Sequence, residues 1–288
     1  MPTARYSFGL VEYNGLLYAI GGYNATGLKT VEAYDPATDT WQTKTSMPTG
    51  RGFLIVAKAS GKIYAIGGIT GGDFDNITYL YVNEEYDPVS DKWTSKAPLP
   101  LNVLAPNSVL GNQFITGTTI DDKIYVTGGS AGNAVPTFVY DPATDIWSKD
   151  GAPLSIFNLE PYASVSSSNN ELFVSHGNEF RKYIPADDEW RVLEPLIEPR
   201  YGIGLASSAE KIYAVGGYMI GPNDYQVSND VAMYDINKGK WSLSSPLRQS
   251  CLLPAAVVFD GRLYVGGGAR RQTYSNIPIA DFEVLQLE

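Results

Sequence analysis

Asn14-Gly15-Leu16-Leu17-Tyr18-Ala19-Ile20-Gly21-Gly22 reads as a tight turn, a short apolar strand and a double glycine. Asn-Gly is the kind of pair that supplies positive φ in a two-residue hairpin. Before the turn, Ser7 to Tyr13 is strand-like, and Leu16 to Ile20 is its return strand. After Gly22 a loop leads to Thr30-Val31-Glu32-Ala33-Tyr34, a third strand. Asp35-Pro36-Ala37-Thr38-Asp39 has the composition of a turn, and Trp41-Gln42-Thr43-Lys44 follows as a fourth strand. Four short strands with tight turns predict one antiparallel sheet.

The same order returns along the chain. The second unit has Ile63 to Gly68, Tyr86-Asp87-Pro88 and Trp93, and the third Ile124 to Gly129, Tyr140-Asp141-Pro142 and Trp147. The fourth is degraded, with Leu172 to Gly177, Tyr183 and Trp190. The fifth has Ile212 to Gly217, Tyr234 and Trp241, and the sixth Leu263 to Gly268 and then Phe282-Glu283-Val284. Tyr and Trp stand seven residues apart in each of the five units that hold both, as in a hairpin whose turn fixes its register. The step from the second glycine to Tyr varies over 12, 18, 11, 6 and 17 residues, which marks a loop that tolerates insertion. The second glycines fall about 50 residues apart on average. One such sheet cannot bury both faces alone, and stacking against neighbours solves that. Glycine permits close backbone approach, and Tyr and Trp are plates that fill the wedge between twisted sheets.

With the double glycines in phase with Tyr and Trp, the chain resembles the kelch-repeat β-propellers over essentially its whole length. The expected fold class is all-β, a six-bladed kelch-type propeller in one domain spanning 1–288. The blades are expected at about 5–46, 51–98, 112–152, 162–195, 201–246 and 251–288. Met1-Pro2-Thr3-Ala4-Arg5 parallels Met47-Pro48-Thr49-Gly50-Arg51, so residue 1 is expected where a preceding fourth strand would have ended. No Trp follows the last unit, which predicts a three-stranded sixth blade with an exposed edge open to strand addition.

Composition narrows the function. A net charge of −10 argues against nonspecific binding to nucleic acid or anionic membranes. Cys251 is the one cysteine and forms no intrachain disulfide. No signal peptide is visible at the N-terminus, and no apolar run approaches the roughly 20 residues of a membrane span. A cytoplasmic location is expected. His176, the one histidine, has no cysteine cluster beside it, so no metal and no cofactor are expected.

In kelch-like propellers the loops after the double glycines and those entering the first strands gather at one mouth. That resemblance implies a partner surface holding Arg5, Tyr6, Tyr23, Arg51, Phe53, Asn158, Arg200, Tyr201, Tyr218 and Arg248. Arg5, Arg51, Arg200 and Arg248 are read as recurring in phase, either as a cationic mouth for carboxylates or as parts the repeat itself needs. The loop 69–81, the loop 218–226 and the apolar entry 101–110 are further candidates for a mixed binding surface. The first reading is a scaffold that binds a protein or peptide segment, acidic or mixed in character. A glycan or small-molecule binding module is the alternative. Some kelch-like propellers are enzymes, and a resemblance to sialic-acid mutarotases would give Glu160 and Arg200 acid–base and carboxylate-clamping roles. A copper oxidase would need two histidines, and this chain has one.

Overall fold

The computed structural model describes residues 1–71, 77–100, 115–127, 129–130, 133–154, 163–221, 224–272 and 275–287. The entry segment 101–110, the centre of the loop 69–81, and both Asn158 and Glu160 lie outside them. Every named element among the described residues is a β-strand. Among the described residues no helix is long and apolar enough to cross a membrane.

The chain forms two compact units, one of residues 2 and 7–159 and the other of residues 1, 3–6 and 160–288. Each holds three antiparallel blade sheets. Blade one pairs Gly9–Tyr13, Leu16–Ile20, Val31–Asp35 and Thr40–Lys44 in that order. Blade two uses Ile55–Ala59, Lys62–Ile66, Asn83–Asp87 and Lys92–Lys96. Blade three uses Thr116–Ile120, Lys123–Thr127, Asn133–Asp141 and Ile146–Leu154, with Gly129–Ser130 added on its third strand. In the other unit, blade four is Ser164–Ser168, Glu171–His176, Glu179–Ile184 and Glu189–Val192. Blade five is Gly204–Ser207, Lys211–Val215, Val231–Asp235 and Lys240–Leu243. Blade six has three strands among the described residues, Ala255–Phe259, Arg262–Gly266 and Phe282–Gln286.

The seven-residue step is a cross-strand pair. Tyr34 faces Trp41, Tyr86 Trp93, Tyr140 Trp147, Tyr183 Trp190 and Tyr234 Trp241. Their ring centroids lie 5.0 to 5.2 Å apart. The turn between them explains the constancy. In four blades the Tyr hydroxyl donates to an aspartate five residues on, at 2.6–2.8 Å. That aspartate, Asp39, Asp91, Asp145 or Asp188, sits at φ of 51–57°. In blade five Gly239 takes the position at φ 67°, since glycine enters this region without a Cβ penalty.

The same residues join one blade to the next. Trp93 Nε1 donates to the Thr45 carbonyl at 2.9 Å, and Asp91 accepts from the Thr45 N–H at 2.9 Å. Trp147 and Asp145 hold Ala97 in the same two-point grip. Trp241 donates to the Glu194 carbonyl at 3.0 Å. Between blades four and five a polar seam adds Ser164 to Ile203 O, Ser166 to Ser207 and Ser168 to Ser208 O. Apolar clusters fill the wedges, as where Ile55 and Tyr64 of blade two meet Ile124, Phe138 and Tyr140 of blade three.

Asp91 and Asp145 are expected to make the fold acid-sensitive. Burial pushes the Asp91 and Asp145 carboxyls upward, but the tyrosine hydroxyl and the gripped N–H outweigh it and leave both below the ordinary range. A depressed carboxylate contributes stability that is present above its unfolded value, roughly pH 3.9, and is lost as pH falls through the folded one. The double variant Asp91→Asn, Asp145→Asn is therefore expected to lose less stability between pH 7 and pH 3 than the parent, read by urea unfolding. An equal loss would contradict the assignment.

The double glycines also act between blades. Gly22 N–H donates to Arg51 O at 2.9 Å and Gly217 N–H to Cys251 O at 2.8 Å. A Cβ on Gly216 would stand 2.5 Å from Cys251 O, so glycine is required there. The N-terminal segment follows this rule, with Gly268 N–H donating to Arg5 O and Arg5 N–H to Ile279 O. Residues 1 and 3–6 thus dock on blade six as 47–51 dock on blade one, in keeping with the parallel between Met1–Arg5 and Met47–Arg51.

Three details differ from the sequence reading. The segments after several double glycines form two-stranded hairpins, Tyr23–Asn24 with Thr26–Gly27, Ile69–Thr70 with Thr78–Tyr79, Tyr218–Ile220 with Tyr225–Val227 and Ala269–Gln272 with Ser275–Pro278. In blade six Leu285, not Phe282, occupies the tyrosine position, because Leu285 faces Leu263 as Tyr34 faces Leu17. The blade-six counterpart of Arg51 is Cys251 and not Arg248, because Gly217 N–H bonds Cys251 O as Gly22 N–H bonds Arg51 O.

Candidate functional site

The start of each first strand and the end of each second strand lie at the same end of a blade sheet, because the two strands are antiparallel neighbours. The segments expected to form the mouth therefore gather there within each unit. Isolated bridges hold the two sets together: Gly52 with Ile69, Tyr201 with Tyr218, and Leu252 with Ala269. Two residues past the arginine position the backbone turns through positive φ, at Ser7, Phe53, Gly202 and Leu253. Phe53 N–H then donates to Ser7 O and Leu253 N–H to Gly202 O, linking successive blades. Phe and Leu rarely adopt this conformation.

Three of the four arginines expected at the mouth are buried. Arg5 and Arg51 have no accessible surface and Arg200 has 2%. Arg51 Nη1 bonds Glu84 Oε2 at 2.6 Å and the Thr49 carbonyl at 2.7 Å, while Nη2 reaches the Ala65 carbonyl at 2.7 Å. Thr49 Oγ1 closes the group by donating to Glu84 Oε1 at 2.8 Å. Burial draws the Arg51 guanidinium below its ordinary range while Glu84 opposes the shift. Arg200 meets no such acid among the described residues and donates instead to the carbonyls of Gly216, Asp230 and Ala214. The Arg51 and Arg200 side chains are clamps in their own blades, while the Arg51 carbonyl also binds the blade before it. Arg248 alone of the four is exposed.

The aromatic residues form two groups. In the unit of blades one to three, Tyr23 and Phe53 meet at 6.2 Å, and the Tyr23 hydroxyl donates to the Gly71 carbonyl. In the unit of blades four to six, His176 stacks edge-on against Tyr201 at 5.5 Å and Tyr201 lies 5.7 Å from Tyr218. Tyr218 packs edge-on against Tyr225 at 4.9 Å, and the Arg271 guanidinium sits 5.3 Å above the Tyr225 ring. The row climbs from buried His176 to Tyr225, which is 40% exposed. Tyr6 is half-buried in the segment that docks on blade six. Tyr225 belongs to the candidate loop 218–226, whereas Arg271 is outside every segment named from sequence. The signal was their place on segments after a double glycine, but the pairing needs both hairpins folded.

Burial, with Glu283 and Asp281 adding to it, pushes the Cys251 thiol up to about 12. At neutral pH it is a buried thiol and not a nucleophile.

The model of the kelch motif matches residues 4–48, 56–100 and 199–248. With six sheets built around in-phase double glycines and Tyr–Trp pairs, that match decides the family. The chain belongs to the kelch-repeat family. Its fold class is the six-bladed kelch-type β-propeller. Among the relatives of this kelch chain, human Kelch-like protein 23 is 27% identical over 248 residues, covering 83% of this chain and 41% of that protein. Mouse Kelch-like protein 35 is 30% identical over 148 residues, 51% of this chain and 23% of that one. Beta-scruin of Limulus polyphemus is 30% identical over 220 residues, 72% of this chain and 24% of the relative. The kelch chain thus spans well under half the length of these curated relatives. The solved structure of YjhT matches all of this chain and 96% of its own at a TM-score of 0.80 and 18% identity, a likeness of fold.

Proposed function

We propose that this kelch chain is a protein-interaction scaffold, and that the aromatic row running from Tyr201 through Tyr218 to Tyr225 and Arg271 is where a partner segment lies. The row itself is the observation that carries this reading. Tyr and Arg are the residue types that anchor protein interfaces, and here a buried base supports an exposed tip. Tyr6 extends the proposed surface within the same unit, and in the other unit Tyr23 with Phe53 forms a second candidate contact on segments of the same kind. Arg248 is 90% exposed on a neighbouring loop, and its guanidinium favours a partner with carboxylates there despite the net charge of −10. Buried Arg200 serves this surface by fixing blade five, from which the loop of Tyr218 and Tyr225 springs. One domain spanning 1–288 and a cytoplasmic setting belong to the same proposal.

The test is affinity purification with the parent chain and with the double variant Tyr225→Ala, Arg271→Ala. Tyr225 stands exposed at the end of the row with the half-buried Arg271 over its ring, so the fold is expected to survive. Removing two anchors of about 1–2 kcal/mol each should deplete at least one partner tenfold or more. Equal recovery of every protein would refute the placement.

A further inference from the structure

Blade six has the lining of an arginine clamp without the arginine. In blade two, Glu84 faces Ala65 across the ladder, and the Arg51 guanidinium binds that carboxylate and that carbonyl. In blade five the Ala214 carbonyl receives Arg200 in the same way. The matching pair in blade six is Glu283 facing Val265. The residue that should fill the space between them is Cys251, whose side chain ends at Sγ. A cavity of about 220 Å³ opens at this place, lined by Gln249, Cys251, Val265, Gly267, Asp281 and Glu283 among others. A single water needs only roughly 10–15 Å³ of such space.

The rim is charged but largely committed. Arg270 Nη2 binds Asp281 at 2.8 Å and also reaches Gln249. Glu283 accepts the Arg248 N–H at 2.9 and 3.0 Å, and Arg248 Nε stands 3.8 Å away on a side chain that is 90% exposed. Neither rim guanidinium occupies the position that Arg51 holds in blade two. A carboxylate retains further lone pairs for a forked donor.

We infer that this vacated clamp is a binding site for a guanidinium group supplied from outside the chain. The planar fork of a guanidinium matches a carboxylate beside a strand carbonyl, as Arg51 demonstrates within this molecule, whereas an ammonium presents a compact point charge. None of the residues that line the cavity belongs to the aromatic row.

Methylguanidinium is the probe, titrated at constant ionic strength and followed by backbone amide shifts. Saturable shifts are expected at Val265, Gly267 and Glu283, with a dissociation constant on the order of 1 mM. Methylammonium should bind at least fivefold more weakly. Glu283→Gln should weaken binding tenfold or more. Cys251→Arg should abolish it while raising the unfolding midpoint, because the clamp is then filled as in blade two. A capped Gly-Arg-Gly peptide that binds tenfold tighter than methylguanidinium would identify the source as an arginine side chain of a polypeptide. Equal affinity would identify a small guanidinium compound. The inference is overturned if the parent shows no saturable shift at these amides or if Cys251→Arg binds as well as the parent. Misfolding of Cys251→Arg would also count against it, since a vacated clamp should accept the side chain it lacks.

Discussion

Arg51→Ala is expected to cost about 3–5 kcal/mol of unfolding free energy, the usual penalty for stranding one member of a buried ion pair. The geometry explains the size. Glu84 has 5% of its side chain exposed and would keep only the Thr49 hydroxyl as a donor among the bonds described above, while the Thr49 and Ala65 carbonyls would each lose a guanidinium donor. Replacing both members separates stranding from the worth of the pair. Arg51→Met with Glu84→Leu should recover most of the loss, because two apolar groups of similar length leave no buried charge. Urea unfolding of the three proteins checks this. A loss below about 1 kcal/mol in Arg51→Ala, the range of an exposed pair, would show that the clamp is not buried in solution.

Trp147→Ala is expected to cost a similar amount, about 3–5 kcal/mol, for a different reason. The indole lies on Tyr140 at 5.0 Å, packs against the cluster shared by blades two and three, and donates to the Ala97 carbonyl at 2.8 Å. Truncation removes a plate and an inter-blade bond together. Trp147→Phe keeps much of the plate and gives up the bond, so its cost should fall to about 1–2 kcal/mol. If both substitutions cost the same, the hydrogen bond and not the packing would be the larger part. Measured costs within about 1 kcal/mol of the parent would contradict the role in both respects.

Much of this architecture is written locally. The Tyr–Trp step is legible because one turn, closed by the tyrosine hydroxyl on an aspartate at positive φ, fixes the register without help from the rest of the chain. The double glycines are legible because a Cβ has no room beside the next blade's backbone. The arginines were legible as a repeat but not as buried groups. Whether Arg51 faces a mouth or its own blade depends on Glu84, a residue 33 positions later that meets it only when the sheet has formed. A partial signal was present. Arg5, Arg51 and Arg200 each stand four residues after Met1, Met47 and Leu196, and four residues after Leu247 stands Cys251, which puts Arg248 out of phase. The hairpins after the glycines gave less warning, since strands of two to four residues carry too little alternation to read.

Residues that hold blades are distinct from residues proposed to meet a partner, and one comparison tests that separation most directly. Partners recovered by the parent chain would be titrated against two variants, Arg51→Met with Glu84→Leu, and Tyr225→Ala with Arg271→Ala. The account predicts that the first variant, once shown to be folded, binds within about threefold of the parent, whereas the second loses tenfold or more. Loss of binding in the first variant with full binding in the second would contradict it and return the partner surface to the arginines.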